Sequence, residues 1–156
     1  MTNKTLAMRF LEGKRVAYEA LAYSAALKDA EAVATAVGEP AGAVFKTLVV
    51  DRPPEKPILA VVPADRQLDL KKLARAVGAK KLGMASQARA EELTGLQVGG
   101  ISPLALVNRG FVVYLDQRAQ AQTHVCVSAG LRGWQIKLAP EDLRRVTGAR
   151  YADIAA

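Results

Sequence analysis

Phe45-Lys46-Thr47-Leu48-Val49-Val50-Asp51, Arg52-Pro53-Pro54-Glu55-Lys56-Pro57 and Ile58-Leu59-Ala60-Val61-Val62-Pro63 decide the fold. The first run is rich in β-branched and aromatic residues and reads as a strand. The proline-rich middle cannot join a sheet and reads as a hairpin loop. The third run returns as the partner strand and is closed by Pro63. One residue stands out. Lys46 has the parity of Leu48 and Val50 in a strand, and lysine is usually avoided in an apolar run. Its ammonium either projects into a pocket, toward an anionic or carbonyl group, or snorkels to water from a strand end.

Outward from the hairpin, helices and strands alternate. Leu6, Ala7, Phe10 and Leu11 recur at helical spacing and predict a helix over 3–14, stopped by Gly13. Residues 16–21 alternate enough for a strand. Asp29 is placed to cap a helix over 29–37, with Ala30, Val33, Ala34 and Val37 as its apolar stripe. Asp69 caps another over 69–77, with Leu70, Leu73, Ala74 and Val77 facing inward. Ser86 caps a short helix through Leu93. Strands are expected over 111–115, 123–128 and 134–138, and Pro140 opens a last helix at its first turn. No repeat or linker divides the chain. One domain over 1–156 is expected, of α+β class: a mixed, barrel-like curved sheet flanked by helices.

The totals narrow the function. The chain has 156 residues, of which 51% are hydrophobic, so it can bury a core without staples. Its single cysteine, Cys126, excludes a disulfide framework and a multi-cysteine zinc site, and fits a reducing compartment such as the cytoplasm. The N-terminal residues lack the apolar core of a signal peptide, and no run approaches a membrane span. The net charge of +7 favours polyanions, nucleic acid first, against the plainer reading that it aids solubility. Lys71, Lys72, Arg75, Lys80 and Lys81 form the densest basic cluster. If about five of them meet phosphates, binding should fall with salt at a log–log slope of roughly −3.5 to −4.5. Aromatic residues make up 5% of the chain, too few for a long stacking platform.

Thr94-Gly95-Leu96-Gln97-Val98-Gly99-Gly100-Ile101-Ser102-Pro103 is the second informative stretch. Paired glycines let backbone N–H groups converge on an oxyanion or phosphate. Pro103 fixes its own φ and restricts Ser102. A plain turn between two elements reads equally well. Thr47 and Thr94 carry hydroxyls able to bond a ligand. His124, the only histidine, has no obvious acid beside it, and Cys126 reads as a small core residue. Ser102 lacks the Gly-x-Ser-x-Gly elbow of a serine hydrolase. Phosphate-loop and dinucleotide fingerprints are absent.

Several runs, in order, resemble the YbaK/EbsC family. They are Phe45 to Val50, Leu68 to Ala74, Gly78 to Lys81, Thr94-Gly95 with Gly99 to Leu104, and Val127 to Gly133. The resemblance spans about Val16 to Ile154. The family consists of free-standing relatives of the editing domain inserted in bacterial-type prolyl-tRNA synthetases. It implies a deacylase for misacylated tRNA, cysteinyl-tRNA(Pro) first and cysteinyl-tRNA(Cys) as a further substrate, with no metal or other cofactor. Misacylated tRNA is then the partner, with prolyl-tRNA synthetase as a second candidate.

The resemblance also implies roles. Lys46 would hold the tRNA acceptor end and assist reaction, and Gly100 would stabilise the carbonyl oxygen within a loop of Gly99, Ile101 and Ser102. Tyr23, Thr47, Ser128, Gly130 and Gln135 would bind the substrate, and the basic cluster would bind tRNA. In the YbaK branch the substrate's own thiol attacks, so the enzyme needs no nucleophile. The sequence departs from the family pattern at Leu96, at Ala105 to Asn108, after Tyr23, and at Gln135 and Lys137, where acids are common. These positions concern the amino acid removed more than the reaction class. Alanine or another small residue is the alternative cargo. A nucleic-acid-binding module without catalysis, and a regulator that binds a free amino acid or a synthetase, are alternatives of another class.

Overall fold

Residues Ile58–Pro63 are buried along their whole length, because a strand flanks them on each side and a core lies on each face. The computed structural model describes residues 4–156. The expected start of the first helix, at residue 3, lies outside them. In chain order the described residues form α1 (Leu6–Gly13), β1 (Glu19–Ala22), α2 (Ala30–Val37), β2 (Phe45–Asp51), β3 (Ile58–Pro63), α3 (Leu70–Val77) and β4 (Gly83–Met84). There follow α4 (Gln87–Thr94), β5 (Val112–Asp116), a 3₁₀ turn (Gln117–Ala121), β6 (Val125–Ser128), β7 (Trp134–Leu138), α5 (Pro140–Thr147) and β8 (Arg150–Ala152).

The hairpin forms as read. β2 and β3 pair antiparallel, with Lys46 opposite Val62 and Thr47 opposite Val61. They sit within a five-stranded sheet of order β4-β2-β3-β5-β8, where β3–β5 and β5–β8 are parallel. A second, antiparallel sheet has the order β1-β7-β6. A parallel bridge between Val44 and Cys126 joins the two. There the Cys126 N–H donates to Ala43 O at 2.9 Å. The strands therefore curve around a core as expected, as two sheets rather than a closed barrel.

Strand alternation sorts the apolar residues into two faces. Phe45, Val49, Leu59 and Val61 enter the larger core, with Leu11, Leu115, Val127 and Ile136. Val50, Ile58, Ala60 and Val62 enter a second core, closed by Leu73 and Ala74 of α3 and by Ile154. A third, small cluster seats Ala34 of α2 on Val44, Ala64 and Cys126.

Three of the helix caps are those the sequence marked. Asp29 accepts from the Ala32 N–H, Asp69 from Lys71 and Lys72, and Ser86 from Arg89, at 3.0–3.1 Å. Each such cap contributes about 1 kcal/mol. Pro140 occupies the first turn of α5.

Three expectations are corrected. Leu6 is 70% exposed, while Met8, absent from the expected stripe, is fully buried. The first strand begins at Glu19, because Arg15 takes φ 58° and Val16 folds back to donate to Leu11 O. β8 was not foreseen. It is held in place by Asp116, fully buried, whose Oδ1 accepts from the Ile154 and Ala155 amides at 3.1 and 3.0 Å.

Candidate active site

Beyond the Val44–Cys126 bridge, β2 and β6 run in the same direction and part. The gap is a cleft of about 210 Å³. Lys46 and Thr47 of β2 line one side, Ser128 of β6 and Gln135 of β7 another, and Gly99 reaches in from the glycine loop. The start of α2, with Ala30 and Val33, completes the wall.

Register explains this convergence. Gln135 lies opposite Ser128 on one side and opposite Leu21 on the other. Directly opposed residues of antiparallel strands share a face. Tyr23, two residues beyond Leu21, has the same parity. The Tyr23 N–H donates to Gly133 O at 2.9 Å, which keeps it beside β7.

The cleft contains unsatisfied chemistry. Three buried side-chain atoms lack a hydrogen-bond partner among the described residues: Tyr23 Oη, Thr47 Oγ1 and Gln135 Oε1. Native proteins leave few such atoms unpaired, and each one calls for an explanation. Thr47 and Gln135 line the cleft itself. Lys46 is half-buried there, and no ion pair or hydrogen bond to it is found among the described residues. Ser128 Oγ accepts from the Gly130 N–H at 3.1 Å.

The glycine loop is held by hydrogen bonds, but its amides divide differently from the expectation. The Gly100 N–H donates to Gln97 O at 2.8 Å. Gly100 borders a separate surface hollow with Gly130 and Arg132. At the cleft the loop places Val98 and Gly99; Gly99 has φ 93°, a conformation that favours glycine. Its N–H has no acceptor among the described residues. The Val98 N–H is held by Glu91 Oε2 at 2.8 Å, and Val98 O accepts from Arg132 Nε at 2.8 Å. Ile101 packs in the larger core. Ser102 is fully buried, and its Oγ accepts from the Leu104 N–H at 3.2 Å. Both support the loop from behind. Arg132 is the clamp that sequence reasoning missed; it lies inside a run quoted for the family resemblance, and nothing in its spacing pointed to Val98.

Elsewhere the candidates separate. Cys126 is fully buried, and burial, with Glu39 adding to it, pushes its thiol up to about 12. His124 is exposed and lines a different hollow, of about 320 Å³, with Tyr18, Glu19, Lys137 and Asp142. Among the described residues no three His, Cys, Asp or Glu side chains gather as metal ligands. Lys71, Arg75, Lys80 and Lys81 are exposed. Lys72 is engaged instead: its Nζ donates to Asp153 at 3.2 Å and to Ala155 O at 3.0 Å. No described helix is long and apolar enough to cross a membrane.

The sequence profile of the aminoacyl-tRNA editing domain matches residues 24–146. This chain belongs to the aminoacyl-tRNA editing family. An editing-family relative in Enterococcus faecalis, EbsC, is named as a Cys-tRNA(Pro)/Cys-tRNA(Cys) deacylase. It is 42% identical over 153 residues, covering 97% of this chain and 93% of that protein. A crystal structure named as that of a trans-editing enzyme for prolyl-tRNA synthetase matches with a TM-score of 0.84 and 28% identity, over 99% of both chains. The structure of the hypothetical protein APE2540 shares the fold, with a TM-score of 0.88 at 22% identity, over 97% of this chain and 99% of that one. The resemblance read from the sequence is the relationship these comparisons report.

Proposed function

We propose that this protein is a trans-acting deacylase of misacylated tRNA. It works in the cytoplasm on cysteinyl-tRNA(Pro) first and cysteinyl-tRNA(Cys) second, with prolyl-tRNA synthetase as its partner. One observation carries the reading. A half-buried lysine without a partner among the described residues stands in a small cleft that also holds the unpaired Thr47 Oγ1 and Gln135 Oε1.

The chemistry follows from what the cleft offers. Cleaving an ester places negative charge on the carbonyl oxygen, and fixed donors stabilise it. We assign that role to the Gly99 N–H and the Lys46 ammonium, both on residues that line the cleft. Lys46 also meets the phosphate or ribose oxygens of the tRNA acceptor end. The substrate supplies the nucleophile: its thiol sulfur bonds to its own carbonyl carbon, the ester C–O bond breaks, and the thiol proton passes to the leaving ribose oxygen. Water then opens the thioester ring. Cys126 is too buried and too weakly acidic for this task, and Ser102 Oγ is engaged in its own turn.

A deacylation panel tests the proposal. The purified protein is given labelled cysteinyl-, alanyl- and seryl-tRNA(Pro), and cysteinyl-tRNA(Cys). Release from the cysteinyl esters alone supports both the substrate and the thiol attack, since serine differs by oxygen for sulfur. Release from alanyl-tRNA(Pro) would shift the cargo and remove the thiol from the mechanism. Release from none would leave a nucleic-acid-binding module.

A further inference from the structure

Gln135 is the most demanding residue in the cleft. It is 5% exposed, lies between two strands, and its Oε1 has no partner among the described residues. An amide oxygen only accepts hydrogen bonds. Buried and unpaired, it favours whatever ligand brings a donor to it. Thr47 lines the same cleft, and its Oγ1 is also unpaired and can accept. Ser128 Oγ has taken one donor, from Gly130, and retains a second lone pair.

An aminoacyl ester carries one group with several donors on a single atom, its α-ammonium. Its carbonyl and ribose oxygens are acceptors and suit Lys46. We propose that Gln135 Oε1 and Thr47 Oγ1 hold the α-ammonium of the bound ester, making a free α-amino group a condition for cleavage. This rests on the deacylase reading above and extends it to selectivity. Both holders are neutral, so the site recognises the ammonium by its N–H groups beside a cationic lysine. The rejected class is N-acylated esters of tRNA. A nascent peptide still attached to its tRNA is such an ester, and it keeps its tRNA.

The test compares labelled cysteinyl-tRNA(Pro) with its N-acetylated form, which retains both thiol and ester. In the wild type, acetylation should lower kcat/KM by about ten- to a hundredfold, the worth of a charge-assisted hydrogen bond. Gln135→Leu should slow the free-amine substrate by a similar factor and leave the acetylated one unchanged, so their ratio falls toward one. Its melting temperature should hold or rise, because a partnerless buried oxygen has been replaced by methyl groups. Equal cleavage of both substrates by the wild type overturns the inference and spares the deacylase reading. A Gln135→Leu variant with a lower melting temperature and an unchanged ratio makes the residue structural, and overturns it too. Release from neither substrate by the wild type defeats both readings.

Discussion

Gly100 packs so closely against Arg132 that a Cβ on it would stand 3.0 Å from the Arg132 amide nitrogen. The carbonyl carbon of Leu131 would lie at 3.3 Å and Gln97 O at 3.4 Å. All three are backbone atoms, which cannot rotate away. Gly100→Ala must therefore displace one of the two loops, at a cost of about 1–3 kcal/mol. The displacement passes directly to Gly99. Deacylation should fall by more than the melting temperature suggests, roughly tenfold or more in kcat, since a misplacement of about 1 Å can cost a hundredfold. Kinetics alongside thermal unfolding will separate the two effects.

Lys46 gives the opposite balance. No described residue bonds its ammonium, so Lys46→Ala should leave thermal unfolding nearly unchanged. The rate should fall by about a hundredfold or more, the scale on which a charge-stabilising donor is lost. Wild-type kcat/KM in this variant would remove the lysine from the mechanism.

Cys126 predicts a pH dependence. Its thiol rises from 9.0 to about 12 in the folded state, chiefly through burial. The unfolded chain therefore releases this proton first as pH rises. The resulting stability is fully present below pH 9.0 and drains away between 9.0 and about 12. Thermal unfolding of wild type and Cys126→Ala across that range should converge as pH increases. At pH 8 a thiol reagent should label the denatured protein and not the native one, and Cys126→Ala should retain deacylation.

Salt dependence should reflect four basic residues rather than five. With Lys72 tied to Asp153 and Ala155, contacts by Lys71, Arg75, Lys80 and Lys81 give a log–log slope of roughly −2.8 to −3.6. Replacing Lys71 with Gln should flatten the slope by about 0.7–0.9. Replacing Lys72 with Gln should lower thermal stability and leave the slope in place. Filter binding of tRNA over a salt series measures both.

Local grammar made much of this legible in the sequence. The prolines between Asp51 and Ile58 announced the hairpin, and Asp29, Asp69 and Ser86 marked three helix starts because a capping side chain bonds within three residues of itself. The parity of Lys46 placed it on one side of a strand. What escaped depends on contacts distant in sequence. β8 is three residues long and owes its position to β5 and Asp116. The destination of the Lys72 side chain is 81 residues away. Which member of the Gly99–Gly100 pair meets the cleft is decided by Gln97 and Arg132, and a glycine pair carries no sign of that. The unpaired state of Thr47 and Gln135 emerges only once their surroundings are assembled.

The bridge at Val44 and Cys126 has a consequence for how such a protein diversifies. Because the two sheets are stitched there and diverge afterwards, the lysine-bearing wall and the wall with Ser128 and Gln135 rest on separate frameworks. Descendants can exchange residues on one wall to accept a new cargo while the other stays untouched.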